Sequence, residues 1–266
     1  MVRLVINNEK ITDRDAFIKI CPFNALEIKD GAVKVNGSCR MCRLCVRKGP
    51  DGAAEIVEDQ EVKTIDKSAW KGIAVYVDHE DGIIHPVTLE LIGKARELAN
   101  KIRHPVYCIF IGAGIVDKAE ELLHYGVDNV YVYDHESFRH FRIDTYTSAF
   151  EDFIKNIRPT AILVGATNVG RQLAPRVAAR FRTGLTADCT VLDIKENTDL
   201  VQIRPAFGGN IMAEIHTPNA RPQLATVRYK VMNAPERNAE AKGKVTVCDL
   251  SNVILNSDIE VIDVVP

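Results

Sequence analysis

The stretch Gly72-Ile-Ala-Val-Tyr-Val77 is the first of several nearly continuous apolar runs in the second part of the chain. Such a run is typical of a strand that is buried on both faces of a parallel sheet. From this strand onward, strand and helix patterns alternate. Predicted strands lie at 72–77, 106–111, 130–133 and 161–164, and predicted helices at 87–102, 117–125, 143–157 and 169–181. This alternation predicts an α/β fold of βαβ units, with helices on both faces of a parallel sheet.

The sequence becomes richer in strands after residue 181. Predicted strands lie at 188–194, 200–206, 210–216 and 223–229, separated by turn residues at 208–210 and 217–222, and two further strand-like segments lie at 244–248 and 259–265. We therefore expect the parallel sheet to end in extra antiparallel or mixed strands.

The cysteines are distributed unevenly along the 266 residues. Four of the seven lie within the first 45 residues: Cys21, Cys39, Cys42 and Cys45. The triple C-x2-C-x2-C at 39–45 is the core of the bacterial ferredoxin motif, whose complete form is C-x2-C-x2-C-x3-C-P. This spacing lets a tight loop present three thiolates to three irons of one cluster.

The fourth position of that motif indicates which cysteine completes the site. Gly49 stands where the fourth cysteine is expected, whereas Cys21 is followed by Pro22 but has no triple before it. In two-cluster ferredoxins the last cysteine of each run ligates the other cluster. This rule leaves one complete ligand set here, so we expect one [4Fe-4S] cluster on Cys21, Cys39, Cys42 and Cys45. A structural zinc site is the alternative, although zinc prefers C-x2-C pairs that are separated by a longer spacer.

Basic side chains alternate with these thiols, namely Arg40, Arg43, Arg47 and Lys48. Two interpretations stay open. Positive charge near an anionic cluster favours the reduced form and raises its potential. Alternatively, the side chains face solvent or an acidic partner.

The residues around the cysteines predict a small α+β domain. Asp13 is placed to cap a short helix, and Asp30-Gly31 is placed to form the turn of a hairpin. A closing strand is expected at 55–58, and the polar stretch 58–67 is interpreted as a linker. We expect a ferredoxin-like domain at 1–66 and an α/β domain at 67–266.

The overall composition excludes several classes of protein. The chain has 34 Lys and Arg against 36 Asp and Glu, a formal net charge of -2, which does not indicate a nucleic-acid binder. The longest apolar run, 106–116, is much shorter than the roughly 20 residues of a membrane helix, and the N-terminus lacks the pattern of a signal peptide. We expect a cytoplasmic protein without a membrane segment, and in that compartment the odd number of cysteines does not indicate a disulfide framework.

Two glycine-containing turns follow predicted strands, where ligands bind in open α/β sheets. Gly165-Ala-Thr-Asn-Val-Gly-Arg171 leads into a helix, and its glycines and helix N-terminus would suit a phosphate. An ordinary strand-to-helix turn is the alternative. Gly112-Ala-Gly114 lacks the third glycine of the dinucleotide fingerprint, since Asp117 stands there, so we do not assign a NAD site.

Four ordered segments carry a resemblance to a known family. They are Gly165-Ala-Thr-Asn-Val-Gly-Arg-Gln-Leu-Ala-Pro-Arg-Val-Ala-Ala-Arg180, Thr183-Gly-Leu-Thr-Ala-Asp188, Arg204-Pro-Ala-Phe-Gly-Gly-Asn-Ile-Met-Ala-Glu-Ile215 and Arg221-Pro-Gln-Leu-Ala-Thr-Val-Arg228. With these segments the chain resembles the first domain of the electron transfer flavoprotein (Etf) alpha subunit, of the bifurcating type. Some members from anaerobes carry an N-terminal ferredoxin-like domain, which agrees with the cysteine pattern.

The resemblance implies a heterodimer with an Etf beta subunit. In bifurcating members, FAD of the beta subunit takes a hydride from NADH. One electron then goes to ferredoxin and the other, through FAD of the alpha subunit, to a flavin-dependent dehydrogenase. Known dehydrogenase partners are of the acyl-CoA type, including a caffeyl-CoA reductase, or of the lactate type, and the sequence does not choose between them.

The resemblance also implies a C-terminal FAD-binding domain after this region. The chain stops at Pro266, so we expect it to be part of a longer protein; loss of this flavin is the alternative. No residue for that FAD is assigned. Gly170 and Arg171, which follow a predicted strand, are candidates for another flavin contact. Arg171 is the main one, because a guanidinium stabilises an anionic flavin. Arg204 and Arg228 have the same interpretation, and a salt bridge is the alternative for all three.

The remaining chemistry-bearing residues predict no catalyst that acts alone. No covalent nucleophile or general acid–base pair is recognisable, the seven histidines lack metal-binding spacing, and Cys108, Cys189 and Cys248 are expected to be inert thiols. The leading hypothesis is an electron-transfer subunit of an oxidoreductase complex. The alternative is a nucleotide-binding α/β enzyme with a structural metal domain.

Overall fold

The computed structural model describes residues 2–58 and 65–263. The chain forms two compact units, residues 1–64 and 65–266. Most of the predicted linker at 58–67 lies outside the described residues. None of the described helices is long and apolar enough to cross a bilayer.

The first unit is a small α+β structure. Its elements are β1 (Val2–Ile6), α1 (Arg14–Ile18), β2 (Leu26–Lys29), β3 (Ala32–Val35), α2 (Leu44–Lys48) and β4 (Ala54–Glu58). The predicted cap is present, since Asp13 Oδ1 accepts a hydrogen bond of 2.9 Å from the Ala16 N–H. The predicted hairpin is also present: β2 and β3 pair antiparallel around Asp30 and Gly31, which both have positive φ. Strand β4 pairs antiparallel with β1.

The second unit is built on a seven-stranded parallel sheet. Its elements are β5 (Ile73–Tyr76), β6 (His79–Glu80), β7 (Ile83–Ile84), α3 (Pro86–Ile102), β8 (Val106–Gly112), β9 (Asn129–Asp134), α4 (Ile143–Ile157), β10 (Ala161–Gly165), α5 (Asn168–Phe181), β11 (Leu185–Cys189), β12 (Val191–Ile194), β13 (Leu200–Ala206), β14 (Ile211–Ile215), β15 (Gln223–Val227) and β16 (Lys244–Val247). The parallel sheet has the order β11-β15-β10-β5-β8-β9-β16. The predicted α/β fold is confirmed.

Strand β5 shows why its sequence is apolar without interruption. Ile73 and Val75 face a core that also contains Leu91 and Leu98 of α3. Ala74 and Tyr76 face the opposite core, which contains apolar side chains of α4 and α5. Because successive side chains of a strand point to opposite faces, burial on both faces requires an apolar residue at every position.

The predicted helix at 117–125 is wrong in type. The structure has two 3-10 helices instead, Val116–Lys118 and Glu120–Tyr125, and the second ends at Gly126 with φ of 84°. The carbonyl groups of Leu123 and His124 accept hydrogen bonds from the backbone N–H groups of Lys242 and Asn238. The C-terminal segment therefore caps carbonyl groups at the end of this stretch.

The antiparallel strands are present but do not extend the parallel sheet, so the expected mixed sheet is wrong. Strands β12, β13 and β14 form a separate three-stranded antiparallel sheet. The single strand predicted at 188–194 is divided between the two sheets near Asp188, whose φ of 58° lies in the left-handed region. Residues 259–263 of the strand-like stretch predicted at 259–265 form no strand, and its last two residues lie outside the described part.

A buried ion pair connects distant parts of the second unit. The Arg221 side chain is fully buried, and its Nη2 lies 2.8 Å from Asp199 Oδ1. Lys67 Nζ contacts the same carboxylate at 2.7 Å. Burial by itself would raise the pKa of Asp199, but the hydrogen bonds and charges of Lys67 and Arg221 outweigh it, so the pKa is lowered.

Candidate functional site

The four predicted ligands are brought together in the first unit. Cys21, Cys39, Cys42 and Cys45 all line one cavity, which opens to solvent. Cys45 is buried and Cys42 is exposed. Four thiols that are separated by up to 24 positions in the chain therefore converge on one space.

The backbone between the cysteines explains how the loop turns. Met41 and Arg43 have φ of 52° and 64°, in the left-handed region. Arg43 is the N-cap residue of α2, which carries the buried Cys45. On the other side of the cavity, the Ala25 N–H donates to Cys21 Sγ at 3.4 Å.

The electrostatics of the free thiols disfavour an empty thiolate site. Burial is the main cause that raises the pKa of Cys45, and the charges of Cys39 and Cys42 raise it further, against lowering by backbone N–H groups. Three thiolates around one cavity repel one another in the absence of a cation. Bound iron or zinc would remove this penalty, because metal ligation stabilises the deprotonated thiol.

The arrangement of the thiols bears on which metal group they fit. Within the part of the chain that the structure describes, no group of three or more His, Cys, Asp or Glu side chains is placed to hold a metal ion. Four thiolates on one tetrahedral zinc, with Zn–S of about 2.3 Å, would lie roughly 4 Å from one another. Soft thiolate donors of this kind are ligands of both zinc and iron–sulfur clusters.

The second unit has an open cleft at a topological switch point. The chain passes from β5 to β8 and β9 on one side of the sheet, while β10 lies on the other side of β5. Tyr76, Asp78 and Thr167 line the cleft at the carboxyl ends of β5 and β10. Ligands of open α/β sheets bind at such a point. The buried Asp78 carboxylate accepts a hydrogen bond from the Thr167 hydroxyl, which places negative charge beside the N-terminus of α5.

Gly170 packs α5 tightly against β10. A Cβ at this position would lie 2.0 Å from the Gly165 carbonyl oxygen and 2.8 Å from Val164 Cγ1. The Gly170 N–H is bonded to Thr167 Oγ1 at 3.1 Å. Close packing therefore explains the glycine at this position without any ligand.

We expect Gly170→Ala to destabilise the second unit by about 3 kcal/mol, because the clash is with backbone that cannot move aside. Trp70 is the single tryptophan of the chain and lies in this unit, so its fluorescence during urea unfolding measures the effect. Arg176→Ala, an exposed position on the same helix, is the control and should change the free energy of unfolding by less than about 0.5 kcal/mol. Equal effects of the two variants would contradict the packing argument.

Arg171 and Arg204 lie near the carboxyl end of β11. Arg171 Nη2 is 3.2 Å from Asp188 Oδ1, and the Arg171 side chain is about half exposed. Burial raises the pKa of Cys189 to about 12, and the charge of Arg204 acts against this rise. The Arg228 N–H donates to the Cys189 carbonyl at 3.1 Å. The alternative considered for Arg171, a salt bridge, is therefore present within the chain. The side chains of Arg171 and Arg204 place two positive charges near the end of β11.

The turn at Gly112-Ala-Gly114 is closed by a residue that sequence reasoning missed. Asp134, at the end of β9, accepts hydrogen bonds from the N–H groups of Gly114, Ile115 and Val116 at 2.7, 2.8 and 3.2 Å. A carboxylate of the chain thus occupies donors that could otherwise hold a phosphate. The only sequence signal was an acidic residue at the carboxyl end of the adjacent strand.

Several histidines make hydrogen bonds within the fold. His79 Nε2 lies 2.7 Å from the Ile111 carbonyl, and its Nδ1 accepts from the Gly82 N–H. Burial is the main cause that lowers the pKa of His79. His85 and His135 accept hydrogen bonds from backbone N–H groups where helices begin, a role that their spacing did not reveal. The buried Cys108 has a strongly raised pKa because of burial, which agrees with an inert thiol.

Both units are similar in sequence to known proteins. Residues 73–253 match the family described as "Electron transfer flavoprotein domain". The chain is 56% identical over 264 residues to "Lactate dehydrogenase (NAD(+),ferredoxin) subunit LctC" of Acetobacterium woodii, an alignment that covers 99% of this chain and 63% of that protein. It is 44% identical over 182 residues to "Electron transfer flavoprotein subunit alpha" of Megasphaera elsdenii, with 68% of this chain and 54% of that protein covered.

A third relative also matches this chain over only part of its own length. "Protein FixB" of Clostridium saccharobutylicum is 40% identical over 197 residues, which covers 73% of this chain and 58% of that protein. The chain thus spans less than two thirds of the length of these curated relatives. The alignment with LctC includes the cysteine-containing unit, because it leaves out only two residues of the chain.

Proposed function

The chain belongs to the electron transfer flavoprotein family, and from this premise we propose that it acts as the alpha subunit of a bifurcating Etf. In this role it carries electrons between NADH or ferredoxin and a flavin-dependent dehydrogenase. The proposal assigns residues 1–66 to a ferredoxin-like [4Fe-4S] domain and residues 67–266 to the first Etf domain. In this proposal the chain works as a subunit of an oxidoreductase complex rather than as a catalyst alone, and it lies in the cytoplasm.

The observation that carries the cluster is the convergence of Cys21, Cys39, Cys42 and Cys45 on one cavity. The spacing of these cysteines leaves one complete ferredoxin ligand set. When bound, a [4Fe-4S] cluster supplies one-electron redox chemistry. The four thiolates would hold it, and zinc would supply no redox chemistry at the same position.

Neighbouring groups would set the properties of this site. The Ala25 N–H already donates to Cys21 Sγ, and hydrogen bonds to cluster sulfurs are one of the means by which proteins tune potential. Arg40 and Arg43 line the cavity, so their charges would favour the more negative, reduced form. Phe23 and Leu44 on the cavity wall would limit access of water.

The flavin contacts are proposed at the carboxyl end of β11 and the start of α5. Arg171 and Arg204 would stabilise negative charge on the flavin of the complex, and Gly170 allows the close approach of α5 to β10. The cofactor in question is FAD. The salt bridge between Arg171 and Asp188 would orient the guanidinium and leave part of it accessible.

The proposed partners are an Etf beta subunit, a flavin-dependent dehydrogenase and ferredoxin. The relative LctC is named for lactate dehydrogenase, NAD(+) and ferredoxin, and it aligns with nearly the whole chain. This similarity favours a dehydrogenase of the lactate type over one of the acyl-CoA type. No nucleic-acid or membrane partner is part of the proposal.

The test is chemical analysis of the anaerobically purified chain. We expect about four iron atoms and about four acid-labile sulfides per chain, brown colour, and an EPR signal that appears on reduction and disappears on oxidation. A colourless protein that contains zinc and no iron would refute the redox role of the first unit. A cluster that is present but cannot be reduced reversibly would instead indicate a purely structural role.

A further inference from the structure

The loop around the cysteines is a one-sided basic surface. The segment 36–50 contains no acidic residue, although the chain as a whole has a net charge of -2. Its four basic residues, Arg40, Arg43, Arg47 and Lys48, are all exposed. Among the residues that the structure describes, none of the four forms an ion pair with a carboxylate, whereas Lys34 of the neighbouring hairpin pairs with Asp30 at 2.8 Å.

These four side chains divide into two groups. Arg40 and Arg43 line the cysteine cavity, and the Arg40 guanidinium lies 4.9 Å from the centre of the Phe23 ring. Arg47 and Lys48 lie on α2 and do not line the cavity. The first pair is positioned to act on a group inside the cavity, and the second pair is not.

The surface between them has the features of a docking site. Cys42 is exposed, so the cavity reaches solvent at the centre of the basic loop. Val46, 37% exposed, lies beside Arg47 and Lys48 on α2 and adds an apolar contact. Interfaces of transient complexes combine apolar contact with a charged rim, and complementary charge speeds encounter.

We propose that α2 and the cysteine loop form the docking surface for an acidic electron-carrier protein. Arg47 and Lys48 attract the carrier and orient it, and Val46 and the exposed edge at Cys42 form the centre of contact. The inference rests on the proposed function, because a redox carrier has a reason to approach this loop only if the loop holds a redox group. It differs from the tuning interpretation, in which the charges of the basic residues act on the cluster itself.

The test is a binding measurement with a purified acidic ferredoxin as the probe and the full, cluster-containing chain. We expect Arg47→Glu together with Lys48→Glu to raise the Kd at low salt by tenfold or more. The difference should shrink to less than threefold at about 1 M salt, where the Debye length is about 3 Å. The iron content and absorbance of the cluster should not change, because neither residue lines the cavity.

The matched control is Arg14→Glu together with Lys19→Glu, which makes the same change of charge at exposed positions on or beside α1. This control should raise the Kd by less than threefold. Equal weakening by both variants would overturn the proposal, as would preferred binding of a DNA oligonucleotide over the ferredoxin. Iron analysis of each sample separates the two hypotheses: a chain without iron refutes the proposed function, whereas an iron-loaded chain with unchanged binding in the α2 variant refutes only the docking surface.

Discussion

Replacement of Cys39 and Cys42 together by alanine should lower the iron content of the purified chain from about four atoms to less than one. Both thiols line the cavity, and the loss of two of four ligands leaves no stable three-iron remnant. The visible absorbance and the EPR signal should disappear with the iron. Because both cysteines lie in the first unit, the fold of the second unit should be unaffected.

Cys248→Ala is the control for this variant. Cys248 is half-buried in the second unit, and burial raises its thiol pKa to about 11. We expect the full iron content in this control. Iron that stays bound after the double replacement would show that these cysteines are not the ligands, and the cluster would then have to be located elsewhere.

Replacement of Asp199 by alanine should destabilise the second unit by about 3–5 kcal/mol. The change leaves the fully buried Arg221 guanidinium without its carboxylate, and an uncompensated buried charge is expensive. The measurement is urea unfolding followed by Trp70 fluorescence. Asp193→Ala removes an exposed ion pair with Lys101, in which both side chains are about half exposed, and should cost less than about 1 kcal/mol.

The effect of Asp199 should also depend on pH. Its pKa is lower in the folded state than in the unfolded state, so its stabilising contribution is complete above the ordinary value of about 3.9. The contribution is lost as the pH falls through the lowered pKa. The difference in unfolding free energy between the wild-type chain and Asp199→Ala should therefore shrink below about pH 4. A difference that stays constant down to acid unfolding would mean that the carboxylate charge is not responsible.

The parallel sheet was predictable because its strands are buried on both faces. Burial on both sides imposes an apolar residue at every position of β5 and β10, and this pattern is visible without any knowledge of neighbours. Helix α4 was predicted with its observed bounds because one apolar face repeats along it and Pro159 follows its end. The 3-10 segment at Glu120–Tyr125 was predicted as an α-helix because, over six residues, apolar spacing does not distinguish the two helix types.

The antiparallel region was harder for a different reason. Strand β12 alternates in burial like any half-exposed strand, and that pattern does not indicate which sheet it joins. The partners of β15 are fixed by packing between distant strands rather than by a turn. The buried ion pair of Asp199 and Arg221 could not be predicted, because charged residues in a sequence are normally expected at the surface.

The candidate site was predicted in part. The set of four cysteines followed from spacing alone, because cluster binding restricts positions along the chain. Arg171 and Arg204 were singled out from a strand end and from the family resemblance, and the structure places both near β11. Asp134 was missed because its partners are backbone N–H groups, which carry no sequence signature.

The position of β15 has a consequence for the order in which the protein can be completed during synthesis. In the finished sheet β15 lies between β10 and β11, yet it leaves the ribosome after both of them. Until residues 223–227 emerge, the backbone edge of β10 has no neighbour on that side and β11 has no partner in the sheet. Such edges are sites of wrong pairing, and closure of a long-range strand is slow. A nascent chain that stalls before residue 223 therefore exposes two open strand edges, and a ribosome pause at this point would be where aggregation begins.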